Sequence, residues 1–194
     1  SCANNPLLQN WELPYGLPPF AQVQPAHFAP AFEIALAQHR AEIDAIASQA
    51  GPPSFANTLA TLDSSGRLLS RITLLFHNLT ASETNSELQA VQRDMAARLA
   101  AHDSATYLNA ALFARIEALQ IQRDTLALDA EQQRLLDRVH QDFTRAGARL
   151  GEQARQRYSA LVGELAVLCT RFSQNVLAEE AAYTLQLHTE ADHA

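Results

Sequence analysis

The chain contains no lysine: all 14 of its basic residues are arginine, spread singly from Arg40 to Arg171. With a formal charge of −7 and no basic block to gather phosphates, nucleic acid is not an expected partner. Cysteine is nearly as scarce. Cys2 and Cys169 sit at opposite ends, too few for a disulfide scaffold. Cys169 lies among apolar neighbours in "ELAVLCTRF" and is expected to be a buried, inert thiol. Cys2 stands in a terminal stretch where a lipid anchor would require prior signal cleavage, and nothing else supports one. No run approaches the roughly 20 apolar residues of a membrane span. The only methionine is Met95, so an upstream segment is expected. The six glycines are isolated, which excludes a Gly-rich phosphate loop.

What is present is a packed helical protein. At 194 residues and 47% hydrophobic, one domain can bury roughly 70% of its unfolded surface without metal or disulfide. Residues 1–24 hold half of the prolines, in "NNPLLQNWELPYGLPPF", and are expected to form an extended arm. Leu7, Leu8, Trp11, Tyr15, Leu17 and Phe20 should pack that arm along the body.

Residues 25–182 read with a helical period. Phe28, Phe32, Leu36, His39, Ile43 and Ile46 line one face of a first helix, ended by the Gly-Pro-Pro break at 51–53. Ser54 caps a second, striped by Phe55, Leu59, Leu62, Leu69, Ile72 and Phe76. Its Ser64-Ser65-Gly66 interruption predicts a kink or a close helix contact. "TNSE" at 84–87 reads as a capping box for a third helix with Leu88, Val91, Met95 and Leu99 inward. A fourth is expected from about Ser104 to Gln120, burying Leu108, Leu112, Ile116 and Leu119. A fifth, capped by Asp129, buries Leu135, Leu136, Val139 and Phe143 and ends near Gly147.

The sixth helix carries Leu150, Ala154, Tyr158, Leu161, Leu165, Leu168, Phe172 and Val176, one seam about 45 Å long at roughly 1.5 Å per residue. Such a seam is expected to lie buried against several helices. After Glu180 the alternation of "YTLQL" reads as the start of a strand in a short tail, 183–194. An unpartnered strand there suggests a chain that continues. The fold class is therefore all-α: an antiparallel bundle of about six helices behind a Pro-rich arm, with a strand-like segment at its C-terminal end.

The search for chemistry is negative. "LQLHTEADHA" brings His188, Glu190, Asp192 and His193 within six residues. Histidines five apart diverge on a helix, so a solvated polar end is expected rather than a metal site. No histidine is followed by glutamate, which rules out HExxH. His140 and Asp142, two apart on one helix, do not face each other. Glu179-Glu180 reads as a surface acidic pair, and His27 and His39 as structural hydrogen-bonders. No catalytic, cofactor-binding or metal-ligating residue is assigned.

Six segments in order carry a resemblance: "LPYGLPPFAQVQPAHFAPAF" (13–32), "AEIDAIA" (41–47), "PSFANTLATLDSSGRLLSRI" (53–72), "YLNAALFARI" (107–116), "RLLDRVHQDFTRAGARL" (134–150) and "FSQNVL" (172–177). Together they resemble the N-terminal region of the thimet-oligopeptidase-like zinc metallopeptidases. The bacterial dipeptidyl carboxypeptidase (peptidyl-dipeptidase) branch fits first and oligopeptidase A next. Departures are small, such as Ala26 and Ala56 where relatives often carry an acid. The resemblance implies a helical ellipsoid split by a channel, with zinc bound by HExxH and a later glutamate farther along a much longer chain.

None of those zinc ligands, nor the family's general base, has a counterpart here. The chain thus resembles a non-catalytic N-terminal domain that forms one wall of the channel and limits entry to short peptides. The parent enzyme would release C-terminal dipeptides. Zinc is a cofactor of the parent, not of this chain, and the expected partners are the C-terminal catalytic portion and peptide substrates. A truncated domain should expose an apolar face of several hundred Å², open to self-association. The alternative is a free-standing helical module for protein–protein interaction. Sparing cysteine and the lack of an intact signal favour the cytoplasm, with a periplasmic origin left open.

Overall fold

In the computed structural model, which describes residues 4–185, every regular element is helical. The helices are α1 (Phe28–Ala47), the single turn α2 (Thr61–Ser64), α3 (Arg67–Ser82), α4 (Ser86–Tyr107), α5 (Ala110–Ile121), α6 (Ala130–Arg145) and α7 (Glu152–Ala182). Short 3-10 turns occur at Pro14–Gly16, Phe20–Gln22, Pro25–His27 and Arg123–Thr125. A π-helical turn, Phe55–Ala60, runs into α2. Tyr183 is extended, and no strand forms among the described residues. Cys2, His188, Glu190, Asp192 and His193 lie outside the described residues.

Local chemistry sets most of these boundaries. Ser54 Oγ accepts from Asn57 N–H at 3.1 Å while Asn57 Oδ1 accepts from Ser54 N–H at 2.9 Å, a reciprocal cap. Asp129 and Gln132 repeat the arrangement at the start of α6. α6 ends in a Schellman turn: Ala148 N–H reaches Phe143 O at 3.0 Å and Gly147 N–H reaches Thr144 O at 3.1 Å. Gly147, at φ +94, supplies the left-handed residue this requires.

Two boundaries differ from expectation. Asn85, not Thr84, caps α4, its Oδ1 accepting from Leu88 N–H at 2.9 Å. α4 then runs unbroken through Ser104, which is buried, to Tyr107. Asn109 restarts the chain as α5 by accepting from Leu112 N–H. With no Gly or Pro between residues 86 and 107, propagation outweighs a serine that would serve elsewhere as a cap.

Packing divides into two apolar clusters joined by α1. The first gathers Leu7, Phe28, Phe32, Leu36, Ile72, Phe76 and Met95, with Phe32 set edge-on to Phe76 at 5.4 Å. The second gathers Ile43, Ile46, Leu59, Leu112, Ile116, Leu136 and Phe143. The stripe of the second expected helix is shared out by its kink: Phe55, Leu59 and Leu62 belong to the second cluster, Leu69, Ile72 and Phe76 to the first. α1 and α3 run antiparallel, as do α5 and α6, whereas Glu33–Arg98 and His39–His102 ascend together along α1 and α4.

The arm docks through its first half and again at Val23, which packs on the first cluster just before α1. Asn5 Oδ1 accepts from Leu7 N–H and its Nδ2 donates to His27 O at 2.8 Å. Arg71 donates to Leu7 O at 2.9 Å and lies 4.6 Å over the Trp11 ring. Beyond Trp11 the expected packing fails. Tyr15 is fully exposed, and Leu17 and Phe20 are half-exposed. Tyr15 and Gly16 both take positive φ in a tight turn that lifts this stretch off the body.

α7 departs furthest from expectation. It is one helix as the seam predicts, yet none of its residues is buried. Its neighbour is α4, and the seam expected in the core faces solvent: Leu161, Leu165, Leu168 and Phe172 are 52–70% exposed. Cys169 shares this exposure, so it is not the buried thiol its apolar neighbours suggested. The smaller residues Ser159, Gly163, Ala166 and Thr170 are partly covered instead. A helix backbone approaches another most closely through small side chains, and periodicity alone does not distinguish that face from the larger one.

Trp11, the only tryptophan, makes the arm measurable. Replacing Arg71 with Ala removes a cation–π contact and a hydrogen bond, together roughly 1–3 kcal/mol of local stability. The expected outcome is a red-shifted emission more readily quenched by acrylamide, with far-UV circular dichroism unchanged. An unaltered quenching constant would show that Arg71 does not hold the arm.

Candidate functional site

The polar groups that the fold brings together sit at the waist of α1, between the two apolar clusters. His39 lies between Leu36 of the first cluster and Ile43 of the second. Its Nδ1 is 2.8 Å from His102 Nε2 on α4, the rings 4.9 Å apart. Its Nε2 is 3.3 Å from Ser65 Oγ in the kink, and Ser65 Oγ donates to Leu62 O at 2.7 Å. Glu42, one turn along α1, accepts from Gly66 N–H at 2.7 Å and from Gln38 Nε2. Gly66 has φ +66, and a Cβ there would stand 3.0 Å from the His39 ring. The interruption predicted at residues 64–66 is thus both a kink and a close approach.

The hydrogen-bond directions decide what this cluster can do. With the Ser65 hydroxyl donating to Leu62 O, its oxygen is left to accept from the His39 Nε2–H tautomer. His39 Nδ1 is then the acceptor for His102 Nε2–H. A serine nucleophile needs the opposite flow, its proton passing to the imidazole, with an acid orienting the other ring nitrogen. Here the other nitrogen meets a second histidine. His39 thus hydrogen-bonds on both sides, to His102 and to Ser65. His102 was not singled out in the sequence, where "AHDSA" gives no hint of a partner 63 residues away.

Electrostatics disfavour charge on both rings. Burial pushes the His39 imidazolium pKa down, against the pull of Glu42 and Asp103. Burial also lowers His102, reinforced by His39 and Arg40. Desolvation alone would raise the Glu42 carboxyl, but the Gly66 N–H, Gln38 and His39 together bring it below its ordinary value. Asp103 is raised by burial and partly restored by His39. A cavity of about 250 Å³ opens beside the pair, lined by Ser65, Asp103, Thr106, Tyr107 and Phe143 among others. A larger one, about 770 Å³, lies within the arm, where Glu12 is the only ionisable lining residue.

The other residues weighed for chemistry stay apart. His27 Nδ1 accepts from Gln24 N–H at the entry to α1. His140 stacks on Phe113, while Asp142 pairs with Arg138. Glu179 and Glu180 are exposed near the end of α7. Among the described residues, no three His, Cys, Asp or Glu side chains gather in a way that holds a metal. A zinc ion therefore does not fit the donor set of the described residues. No helix among these residues is long and apolar enough to cross a membrane.

The other feature of note is the face of α7 turned away from α4. α7 is locked in antiparallel register by Gln174, whose Nε2 donates to Gln89 O at 3.0 Å and Gln92 Oε1 at 2.8 Å. Gln174 Oε1 accepts from Arg93 at 2.7 Å. With that rotation fixed, Leu161, Leu165, Leu168, Phe172 and Val176 form one outward apolar stripe. The waist is thus a half-buried polar join, and the α7 stripe an exposed apolar face.

The comparisons name the scaffold. No family profile matches the chain. It is 44% identical over 180 residues to dipeptidyl carboxypeptidase of Salmonella typhimurium, covering 93% of this chain and 26% of that protein. Against dipeptidyl carboxypeptidase of Escherichia coli it is 42% identical over 174 residues, 90% of this chain and 26% of the relative. Oligopeptidase A of Salmonella typhimurium is 26% identical over 98% of the chain and 27% of its own length. The chain is thus a homologue of the dipeptidyl carboxypeptidase and oligopeptidase A group, and spans about a quarter of the length of the curated relatives it matches.

The waist makes stability pH-dependent. Both histidines have folded pKa values below the ordinary value of roughly 6.5, so the unfolded chain binds more protons as pH falls. Their contribution is complete above that value and is lost as pH drops through the folded pKa values. The melting temperature is expected to fall between pH 7 and 5.5, and His102→Gln should flatten that slope. An equally steep slope in the variant would exclude the pair as its source. Gly66→Ala, forced into left-handed backbone against His39, is expected to cost about 1–3 kcal/mol in urea unfolding.

Proposed function

We propose that this chain is the N-terminal, non-catalytic helical domain of a zinc-dependent peptidyl-dipeptidase or oligopeptidase. In that role it forms one wall of a substrate channel that admits only short, unfolded peptides. The observation that carries the reading is the match of nearly the whole chain to about a quarter of dipeptidyl carboxypeptidase. It is supported by a polar centre whose proton directions suit structure and not nucleophilic attack.

Excluding folded substrates is a steric task. It asks for rigid helices with locked registers, which the caps, the α1 waist and the Gln174 clasp supply. The zinc ligands and the general base would belong to the remaining length of the protein, and release of C-terminal dipeptides would be the activity of the whole. The outward stripe of α7 also suits a free-standing interaction module, so the readings part on catalysis by the longer product.

The test uses the 194-residue chain beside the longer protein of its gene, each given zinc and a blocked tetrapeptide. The longer protein is expected to release dipeptides from the peptide and to spare a folded protein of unrelated sequence. The chain alone should cleave neither. Metal-dependent dipeptide release by the chain alone, or none by the longer protein, would overturn the proposal.

A further inference from the structure

We propose that the outward stripe of α7 is the seam on which the rest of the same protein docks. This rests on the reading above and adds what that reading leaves open, namely which helix meets the catalytic portion. Leu161, Leu165, Leu168, Phe172 and Val176 recur every three or four residues on one face and are 38–70% exposed. A continuous apolar stripe of this kind marks an interaction surface on an otherwise ordinary exterior.

The stripe is not needed by the bundle itself. The partly covered face of α7 holds Ser159, Gly163, Ala166 and Thr170 flanked by Val162 and Val167, and Gln174 fixes the rotation with three hydrogen bonds to α4. Were the large side chains meant for α4, a rotation of about half a turn would bury them, and the clasp prevents it. The large face is therefore held outward.

The occupant follows from chain length and placement. The curated relatives are nearly four times as long as the matched portion. α7 is the last helix among the described residues and ends at Ala182, about one and a half turns beyond Val176 and Leu177, so a continuing chain leaves the helix beside the stripe. A segment tethered that close acts at an effective concentration in the millimolar range, and a modest patch then suffices. A second copy has no such help. Five half-exposed side chains present roughly 100 Å² each, about 500 Å² in all, against the roughly 800 Å² per partner of a stable separate complex.

Cys169 is a built-in reporter, exposed on α7 between Leu165 and Phe172. In Cys2→Ser protein, its reaction with a small thiol reagent is followed by peptide mapping in the 194-residue chain and in the longer protein. The free chain is expected to react like an open thiol and the longer protein at least tenfold more slowly, with Leu165→Glu/Phe172→Glu restoring the fast rate. Equal rates in the two forms would overturn the proposal. So would protection in the chain alone that rises with concentration alongside a dimer in sedimentation, since a second copy would then be the occupant. Protection in a longer protein that cleaves no peptide would leave the docking seam standing and remove only the peptidase reading.

Discussion

The fold depends on one shared element, α1, and on how its midpoint is held. Two apolar clusters, each too small to define a domain of this size, are strung on the same helix, and their join falls at His39. An apolar residue there would fuse the clusters but leave the kink at Ser65 and the polar face of His102 unpartnered. Histidine can donate through one nitrogen and accept through the other, so it ties α4 to the kink across a single side chain. Gly66 completes the arrangement, since only a residue without a Cβ lets the chain turn that close to the ring.

A waist built this way also settles orientation. Glu42 holds the amide at the start of α3, and Glu33 pairs with Arg98 on α4, so α1 fixes both neighbours at two heights. Hydrogen bonds are directional where apolar contact is not, and those at the half-buried waist therefore set the angle at which the helices meet. The same property that makes the cluster resemble a relay of catalytic residues makes it a good strut. Its protons are already committed.

Much of this was legible in residue spacing. The stripes Phe28–Ile46 and Leu112–Leu119 lie in the core, Ser54 and Asp129 cap their helices, and the 64–66 interruption is a bend. What failed were inferences about partners. Tyr15, Leu17 and Phe20 look like arm anchors on composition alone, yet the turn at Tyr15-Gly16 carries them off the body. Ser104 looks like a cap, but nothing between residues 86 and 107 breaks a helix. The His39–His102 contact joins positions far apart in sequence and leaves no local trace.

The α7 seam is the most instructive case, because the period was right and the conclusion drawn from it was not. A run of Leu and Phe at three- and four-residue steps specifies a helix with an apolar face, and it says nothing about which molecule covers that face. The usual inference, that such a face belongs to the core, assumes that the whole core lies within the chain at hand. Here α7 carries a second, quieter face of Ser159, Gly163, Ala166 and Thr170 that suffices for α4, and the Gln174 clasp selects it. A helix with two usable faces sits at a boundary by construction. It closes the bundle on one side and leaves on the other an apolar surface that the bundle does not need. That division of labour is what the proposed role, one wall of a channel, asks of a helix at the edge of the bundle.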